Sequence, residues 1–436
     1  MSMRGKEKII EIILAIARIL FGVTFIFSGF VKAVDPIGFT YKIEDYLISF
    51  QLTQFISLAL TFAVVLIIVE FLLGVFILLG LYRKITIPAA VLFMLAMTPM
   101  TLYIALENPV KDCGCFGDAL IIDNWSTFYK NIVLLTLTIF LFVYRRNIRS
   151  FFSNKTKHYV LGFLVLFSLL FCLYNILYLP VMDFRPYKVG LNITEQMEND
   201  LSKGDVYENI YIYEKDGIEE EFTEENFPWE DSTWTFVDLK SKLIKEAEQP
   251  LIEEFVIVAY TKDSTSVFVR TDDITHEVLS NHLSLLAISL SLEDAHQKGM
   301  RDILALADYA KEKDIDFHII TSSDANIVAQ WDDKWGNPTV KYASMDELTL
   351  KTIVRSNPGL LLLNEGAIQG KWSSRNIPEA AKLDKTVAQL QAGTNTKRRN
   401  NSLARLLIIC TIFVIPLFGI KWYDTQADKN IKKYNK

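Results

Sequence analysis

Residues 57–81 read SLALTFAVVLIIVEFLLGVFILLGL, with a single ionisable side chain, Glu70. An α-helix of this length is about 37 Å long, and the hydrocarbon core of a bilayer is about 30 Å thick. The stretch is therefore long enough to cross a bilayer, and it predicts a membrane-spanning helix.

The rest of the chain repeats this pattern. Hydrophobic residues make up 51% of the 436 residues and charged residues only 22%, and the apolar positions are bunched rather than spread. This composition is typical of a membrane protein. The first apolar stretch follows Arg4, Lys6 and Lys8 and has no small-residue cleavage site, so it predicts a retained signal anchor. The predicted spans are residues 9–31, 57–81, 85–106, 126–144, 158–179 and 403–422.

Positive charges in short loops predict the orientation. Cytoplasmic loops carry an excess of Lys and Arg. The N-terminus and the loops after spans two and four are therefore predicted to be cytoplasmic. The loop after span three and the connection after span five are predicted to be periplasmic. The predicted location is the cell inner membrane, which the chain crosses several times. Residues 397–399, Lys-Arg-Arg, run against this rule, but large translocated domains override such charges. The cytoplasmic loop charges are Arg83, Lys84, Arg145, Arg146, Arg149, Lys155 and Lys157.

The periplasmic loop after span three reads Asp112-Cys113-Gly114-Cys115-Phe116-Gly117-Asp118. Two thiols separated by one glycine can close a small, strained disulfide, which is easily reduced and suits electron exchange. The alternative is a local bridge that only pins the loop, or two inert thiols. Asp112 and Asp118 flank the pair, and we expect their charges to raise the thiol pKa and to favour an oxidised resting state.

The connection after span five is long enough to be a separate soluble domain. Residues 181–400 contain 24 Lys and Arg against 39 Asp and Glu, whereas the remainder of the chain is basic. An acidic domain argues against nucleic acid as a partner, because phosphates require basic patches. The predicted organisation is a membrane domain over residues 1–150, a fifth spanning helix over 151–180, the acidic domain over 181–400, and a sixth spanning helix with a cytoplasmic tail over 401–436.

Within the acidic domain, residues 283–375 alternate strand and helix patterns. Residues 285–290 and 317–320 predict strands on either side of a helix over 299–313, and residues 360–363 and 367–372 predict a hairpin. This order resembles a thioredoxin-like domain, with Pro358 where that family carries its cis-proline. No cysteine occurs between residues 181 and 400, and Ser291-Leu292-Glu293-Asp294 stands where thioredoxins place Cys-x-x-Cys. The domain is therefore expected to bind a partner protein or to act as a structural cap, not to exchange disulfides itself.

The membrane part resembles a known family. Residues 17–22 (ARILFG) and 27–32 (FSGFVK), followed by Asp35-Pro36, look like the opening helix of the DoxX family, and the Asp-Cys-Gly-Cys-Phe-Gly loop is similar to that of MauE-like members. The whole chain resembles DoxX-like proteins of the Bacteroidota. The resemblance implies a four-helix membrane bundle, here with two further spanning helices flanking the α/β thioredoxin-like domain. It also implies thiol or sulfur-compound oxidation coupled to quinone.

Ionisable and thiol side chains inside the spans give two further expectations. Arg18 and Glu70 lie at similar counted depth, so they are expected to form an ion pair that locks two helices or lines a proton or quinone path. Cys172 and Cys410 also lie at matching depth, so the two thiols could face each other. The simpler interpretation is that each is a packing position of its helix.

Motifs for other chemistries are absent from the sequence. The five histidines show no metal-ligand spacing, and no nucleotide-binding or serine-hydrolase motif occurs, so no metal or nucleotide cofactor is predicted. Two functions remain. In the first, Cys113 and Cys115 pass electrons from an extracytoplasmic thiol or sulfur compound to quinone. In the second, the protein is a non-catalytic envelope scaffold whose thioredoxin-like domain binds partner proteins.

Overall fold

The computed structural model describes residues 3–110, 112–197, 206–215, 217–223, 226, 233–245, 250–391 and 402–434. A membrane part made of long apolar helices carries a soluble part built around two β-sheets. Residues 397–399, which run against the predicted orientation, lie outside the described residues.

Six helices in the described part of the chain are long and apolar enough to cross a membrane, as the sequence predicted. A helix is required there because every backbone N–H and C=O in hydrocarbon needs an internal partner. Five of the six occur before the soluble part. This region contains five spanning helices, α1 (Met3–Val34), α3 (Ala59–Leu79), α4 (Arg83–Glu107), α5 (Asn124–Val143) and α6 (Lys157–Leu177), and one short helix, α2 (Pro36–Ser49).

Helices α1 and α3 approach each other closely through glycines. A Cβ added at Gly29 would lie 2.8 Å from the backbone nitrogen of Phe71, and one added at Gly74 would lie 2.7 Å from that of Ile26. Small residues at a helix interface allow such close backbone approach in membranes. The glycines therefore fix an antiparallel register in which residue 29 of α1 lies beside residue 71 of α3.

Helix α2 is a short helix between two spanning helices, and the sequence reading did not predict it. Asp35 caps its N-terminus by accepting a hydrogen bond from the Gly38 N–H at 2.9 Å, and Pro36 occupies the first helical position. Both are standard helix-start signals. Ionisable and aromatic residues interrupt the apolar pattern of α2, so it is too polar to read as a span.

The soluble part is a mixed α/β structure, and the sixth spanning helix follows it. The elements of the soluble part are α7 (Ile193–Met197), β1 (Val206–Lys215), β2 (Ile218–Phe222), β3 (Thr235–Lys245), β4 (Val258–Lys262), β5 (Phe268–Asp273), α8 (Thr275–Ser280), β6 (Ser284–Ser289), α9 (Gln297–Leu304), α10 (Ala307–Glu312), β7 (Asp316–Thr321), α11 (Ala325–Trp335), β8 (Lys341–Ser344), α12 (Glu347–Ile353), β9 (Gly359–Asn364), β10 (Ala367–Ser373) and α13 (Ala380–Gln391). The sixth spanning helix is α14 (Ser402–Tyr434).

Strands β1 to β3 form a separate antiparallel sheet, and the other seven strands form one sheet in the order β10-β9-β6-β7-β8-β4-β5. Strands β6, β7 and β8 are parallel, and β9 and β10 form the antiparallel hairpin at one edge. All six residues of β6 are buried, which is why the strand reads as a continuous apolar run. The thioredoxin-like βαβ unit and hairpin are thus present as predicted, except that the helix expected over 299–313 is divided into α9 and α10.

Candidate redox site

The cysteine loop connects α4 and α5 and turns sharply at two glycines. Gly114 has φ +63° and Gly117 has φ +52°, a region that residues with a side chain rarely adopt. A Cβ at Gly114 would also lie 3.1 Å from Cγ of Lys42. The Gly117 N–H donates to the Gly114 carbonyl at 3.1 Å, so the turn closes on itself. The glycines named from the sequence are therefore required by the loop's conformation.

All four cysteines of the chain lie in the described part and are free thiols. Cys113 is buried and Cys115 is half-buried. The backbone N–H of Cys115 donates to Sγ of Cys113 at 3.3 Å, and the hydroxyl oxygen of Thr127 on α5 lies 3.4 Å from the same sulfur. The Cys113 thiol thus lies in a hydrophobic cluster with Tyr46, Ile104 and Val110, and its sulfur makes these two polar contacts.

The surroundings of the two thiols separate their pKa values. The Cys115 thiol donates a hydrogen bond to Cys113, and this lowers the pKa of Cys113 to about 6 despite burial, with help from Thr127 and Lys130. The same hydrogen bond, burial and the charge on Cys113 raise the pKa of Cys115 well above its usual value. The Cys113 thiol therefore ionises before the Cys115 thiol. A depressed pKa is typical of reactive cysteines.

The expectation that Asp112 and Asp118 raise the thiol pKa is wrong for Cys113. Asp112 is paired with Lys42 at 2.8 Å, and its second oxygen accepts a hydrogen bond from the Gly114 N–H at 2.8 Å. Asp118 is paired with Arg355 of the soluble part at 3.1 Å. The two carboxylates shape and anchor the loop, and their charges are compensated by cations that are distant in sequence.

Aromatic side chains hold the loop against three helices. The Phe116 ring packs against Phe27 of α1 at 5.4 Å between centroids, and the Lys130 ammonium of α5 lies 4.4 Å from the Phe116 centroid. The Tyr46 hydroxyl of α2 donates to the Cys113 carbonyl at 2.7 Å. Sequence reasoning missed Tyr46, and the Asp35-Pro36 start signal for α2 was the available clue.

A buried polar cluster lies directly beneath Cys115. Lys32 of α1 pairs with Glu70 of α3 at 2.7 Å, and the two side chains are only 7% and 10% exposed. Ser28, one turn before Lys32, has its hydroxyl oxygen 2.7 Å from the Glu70 carboxylate and 2.5 Å from the Cys115 carbonyl oxygen. The cluster therefore connects an intramembrane carboxyl group to the backbone of the cysteine loop.

The predicted Arg18–Glu70 ion pair is wrong. The Arg18 guanidinium instead donates to the carbonyl oxygens of Ile77 at 3.0 Å and Leu78 at 2.8 Å, at the C-terminal end of α3. Helix α1 begins well before the apolar stretch, and the glycine contacts set residue 22 beside residues 74 and 78. Arg18 is thus level with the end of α3, where a cation satisfies unpaired carbonyls.

Cys172 and Cys410 do not form a pair. Cys172 is fully buried and packs with Ala33 and Ile67, whereas Cys410 is exposed on α14. The facing pair is therefore wrong: Cys172 is a packing position, and Cys410 is exposed.

The soluble part docks beside the cysteine loop through the segment that precedes β9. The Asn357–Pro358 peptide bond is cis. Arg355, almost fully buried, binds Asp35 at 2.8 Å and Asp118 at 3.1 Å. The Asn357 side chain donates to the Ser291 carbonyl at 2.8 Å, which joins this segment to the position where thioredoxins carry their thiols.

The surface beside the cis-proline segment faces the membrane part. A cavity of about 180 Å³ lies between them, and α2 contributes Ile37 and Tyr41 to its walls. A second, wholly apolar crevice of about 350 Å³ lies on the other side of Tyr46, between α2, α3 and α4. The lining residues of this crevice are Ile43, Tyr46, Leu47, Phe50, Phe62, Val65, Leu66 and Met100. Its volume is at the lower end of the range of small-molecule sites, and Phe50, Phe62 and Val65 in its walls are exposed.

Comparisons with known proteins agree with the division into two parts. Residues 10–144 match the family model of methylamine utilisation protein MauE, and residues 207–246 match a domain of unknown function (DUF8463). No curated protein matches the chain. Among solved structures, a candidate thioredoxin from Neisseria meningitidis is 14% identical, with a TM-score of 0.24, and the match covers 32% of this chain and 90% of that one. Residues 10–144 are thus similar to MauE, the membrane part has several apolar helices long enough to cross a bilayer, and the strand order of the soluble part is the one expected of a thioredoxin-like fold.

Proposed function

We propose that Cys113 and Cys115 form a redox-active pair that cycles between dithiol and disulfide. The observation that carries this proposal is the environment of Cys113, whose sulfur accepts the Cys115 N–H and lies beside Thr127 and Lys130. Hydrogen bonds and a nearby cation stabilise a thiolate, and the thiolate is the reactive form of cysteine. A loop that served only as a packed connection would not require them.

The direction of exchange follows from the difference between the two thiols. In the disulfide state, a substrate thiolate attacks the sulfur whose partner leaves most easily, and the leaving group with the lower pKa leaves faster. Cys113 is that leaving group, so the substrate attacks the more exposed Cys115. A second substrate thiol then displaces Cys115. The substrate leaves as a disulfide, and the pair retains two electrons as Cys113 thiolate and Cys115 thiol.

The acceptor of these electrons is proposed to be a quinone. The apolar crevice beside Tyr46 has the size and the aromatic and aliphatic walls that fit a quinone ring, and it opens between membrane helices. A quinone bound there would accept two electrons and two protons. Tyr46 forms one wall of the crevice and also holds the Cys113 carbonyl, so one side chain connects the crevice to the redox loop.

The proposed location is the inner membrane, with the cysteine loop and the soluble part in the periplasm. Arg355 of the soluble part contacts Asp35 and Asp118, and this supports a location of the soluble part and the cysteine loop on the same side of the membrane. The Lys and Arg residues of the short loops lie in the α3–α4 and α5–α6 connections, at the opposite helix ends. The positive-inside rule assigns those ends to the cytoplasm. The periplasm is also the compartment in which disulfides persist.

The soluble part is proposed to orient an extracytoplasmic thiol substrate at the loop. It has no cysteine between residues 181 and 400, and its cis-proline segment is fixed beside Asp118, three residues after Cys115. These contacts favour a fixed wall of the redox site over an independent thiol carrier.

The test is to follow the redox state of the loop in membranes. Free thiols are labelled with a mass-shifting maleimide, before and after a reductant pulse, in cells with and without quinone. We expect the pair to be oxidised at rest, reduced by the pulse and reoxidised only when quinone is present. Cys113→Ser with Cys115→Ser should abolish the shift, whereas the exposed-site control Cys410→Ser should retain it. If the pair never changes state, the scaffold function replaces this one.

A further inference from the structure

A cavity of about 620 Å³ lies where the soluble part meets the ends of α6 and α14. Tyr174 and Tyr178, at the end of α6, form one wall, and Ile408 and Ile409 of α14 form another. Trp372 of β10 contributes to the wall on the side of the soluble part. Small-molecule sites have volumes of about 300–1,000 Å³. The cavity is therefore large enough for a ligand, and two spanning helices border it.

The charged residues in the wall of this cavity are mostly cations. Lys188, Lys371 and Arg405 line it, against one carboxylate among the described lining residues, Asp183. Asp183 is already compensated, because Arg185 and Lys371 each bind it at 2.8 Å. Neither Lys188 nor Arg405 has an acidic partner within the described part of the chain. The wall therefore carries two positive charges that no carboxylate of these residues balances.

Lys371 is the buried part of the cationic wall. Its side chain is 3% exposed, and its ammonium donates to Asp183 at 2.8 Å and to the Tyr187 carbonyl at 2.9 Å. An ammonium has three hydrogens, so one remains after these two bonds. Burial lowers the pKa of Lys371 to about 8 although Asp183 is adjacent. A further anion in the cavity would stabilise the charged form of this lysine.

The wall that the spanning helices contribute is apolar and open to lipid. Ile408 and Ile409 lie one helical turn after Arg405, further into the apolar stretch of α14. Ile408 is 59% exposed and Tyr174 is 50% exposed, so acyl chains can reach both side chains. The rings of Tyr174 and Tyr178 lie 5.1 Å apart, and tyrosine is enriched where a membrane meets water. The cavity thus combines cations on the water side with an apolar wall on the hydrocarbon side.

We propose that this cavity binds an anionic phospholipid from the leaflet on the side of the soluble part. The lipid phosphate binds between Lys188, Lys371 and Arg405, and the acyl chains lie along Ile408 and Tyr174. Cations form strong, charge-assisted hydrogen bonds with phosphate, and basic pockets between spanning helices bind lipid head groups. A free phosphate would use only the cations, whereas a phospholipid uses both walls. This inference does not depend on the proposed redox function.

The experiment is native mass spectrometry of the purified full chain with lipids of defined composition. Anionic phosphatidylglycerol and zwitterionic phosphatidylcholine with the same acyl chains are titrated separately, and we expect the wild type to prefer phosphatidylglycerol. Each Lys or Arg near a membrane surface strengthens binding of an anionic lipid about fivefold. The double variant Lys188→Gln with Arg405→Gln should therefore bind phosphatidylglycerol about 25-fold more weakly. Equal affinity of the wild type for the two lipids overturns the proposal.

The matched control is Lys84→Gln with Lys155→Gln, which also removes two exposed cations but at the opposite end of the membrane part. It should keep the wild-type affinity, and an equal loss in both double variants overturns the proposal. If the first double variant does not fold, Arg405→Gln alone, at an exposed position, should weaken binding about fivefold, and unchanged binding overturns the proposal.

Inorganic phosphate distinguishes a lipid from a free anion as the occupant. Phosphate at about ten times the lipid concentration should leave phosphatidylglycerol bound to the wild type, because phosphate has no acyl chains to place along α6 and α14. Displacement of the lipid by phosphate at this concentration overturns the lipid as the occupant.

Discussion

Replacing Thr127 with valine should raise the pKa of Cys113 by about one unit. Thr127 is fully buried, and its hydroxyl lies 3.4 Å from the Cys113 sulfur, so valine preserves the shape and removes only this polar contact. A hydrogen bond to a charged group contributes about 1.5–3 kcal/mol, and the long contact to sulfur belongs at the lower end. Since one pKa unit corresponds to about 1.4 kcal/mol, the pKa should move from about 6 to about 7.

The assay is the rate of alkylation of Cys113 by iodoacetamide as a function of pH, in a Cys172→Ser, Cys410→Ser background. Because only the thiolate reacts, the rate follows the ionised fraction. At pH 6 this fraction should fall from about one half to about one tenth, a fivefold slower reaction. Thr138→Val is the matched control, since Thr138 is equally buried on α5 but donates to the Leu135 carbonyl. Superimposed profiles for wild type and Thr127→Val would refute the polar stabilisation of Cys113.

Three further changes test the anchoring of the site. Gly114→Ala forces a side chain into a left-handed conformation and should destabilise the loop by about 1–3 kcal/mol, seen as a lower thermal midpoint and faster proteolysis within the loop. Arg355→Ala leaves Asp35 and Asp118 without their shared cation and should weaken the docking of the soluble part by about 3–5 kcal/mol. The measurement is hydrogen exchange in the segment before β9, which should increase. Unchanged exchange would show that this contact does not hold the soluble part. Arg18→Met removes the cation from the end of α3 and should lower the thermal midpoint in detergent without changing the redox titration of the cysteine pair.

The sequence predicted the parts of this fold that depend on local composition. The apolar length of residues 57–81 is sufficient for a spanning helix, and the six spans, the βαβ unit and the hairpin follow from such patterns. The cysteine loop was also visible, because two thiols and two glycines occur within five residues. Helix α2 was missed because its mixed polarity resembles a loop, although Asp35-Pro36 is a recognisable helix start.

The partners of the charged residues could not be predicted, because they depend on helix register. Counting residues from the edges of apolar stretches placed Arg18 level with Glu70, but α1 extends beyond its apolar stretch. Gly22 and Gly29, two helical turns apart, carried the missing signal, since close contacts at both positions fix how α1 lies along α3. With that register, Lys32 is the cation next to Glu70. Arg355 is 237 residues from Asp118 in the chain, and no local pattern relates them.

The charged residues that anchor the cysteine loop are different from the charged residues that act on its sulfurs. The exposed-side carboxylates Asp112 and Asp118 are each bound to a cation from another element, Lys42 and Arg355, so neither opposes a negative charge on sulfur. On the membrane side, Lys32 pairs with Glu70 and also lies within electrostatic range of both loop sulfurs. A negative charge gained by Cys113 is therefore balanced from below, inside the membrane part. Because the loop's outer contacts do not change their charge, the soluble part can stay docked while the pair is oxidised and reduced.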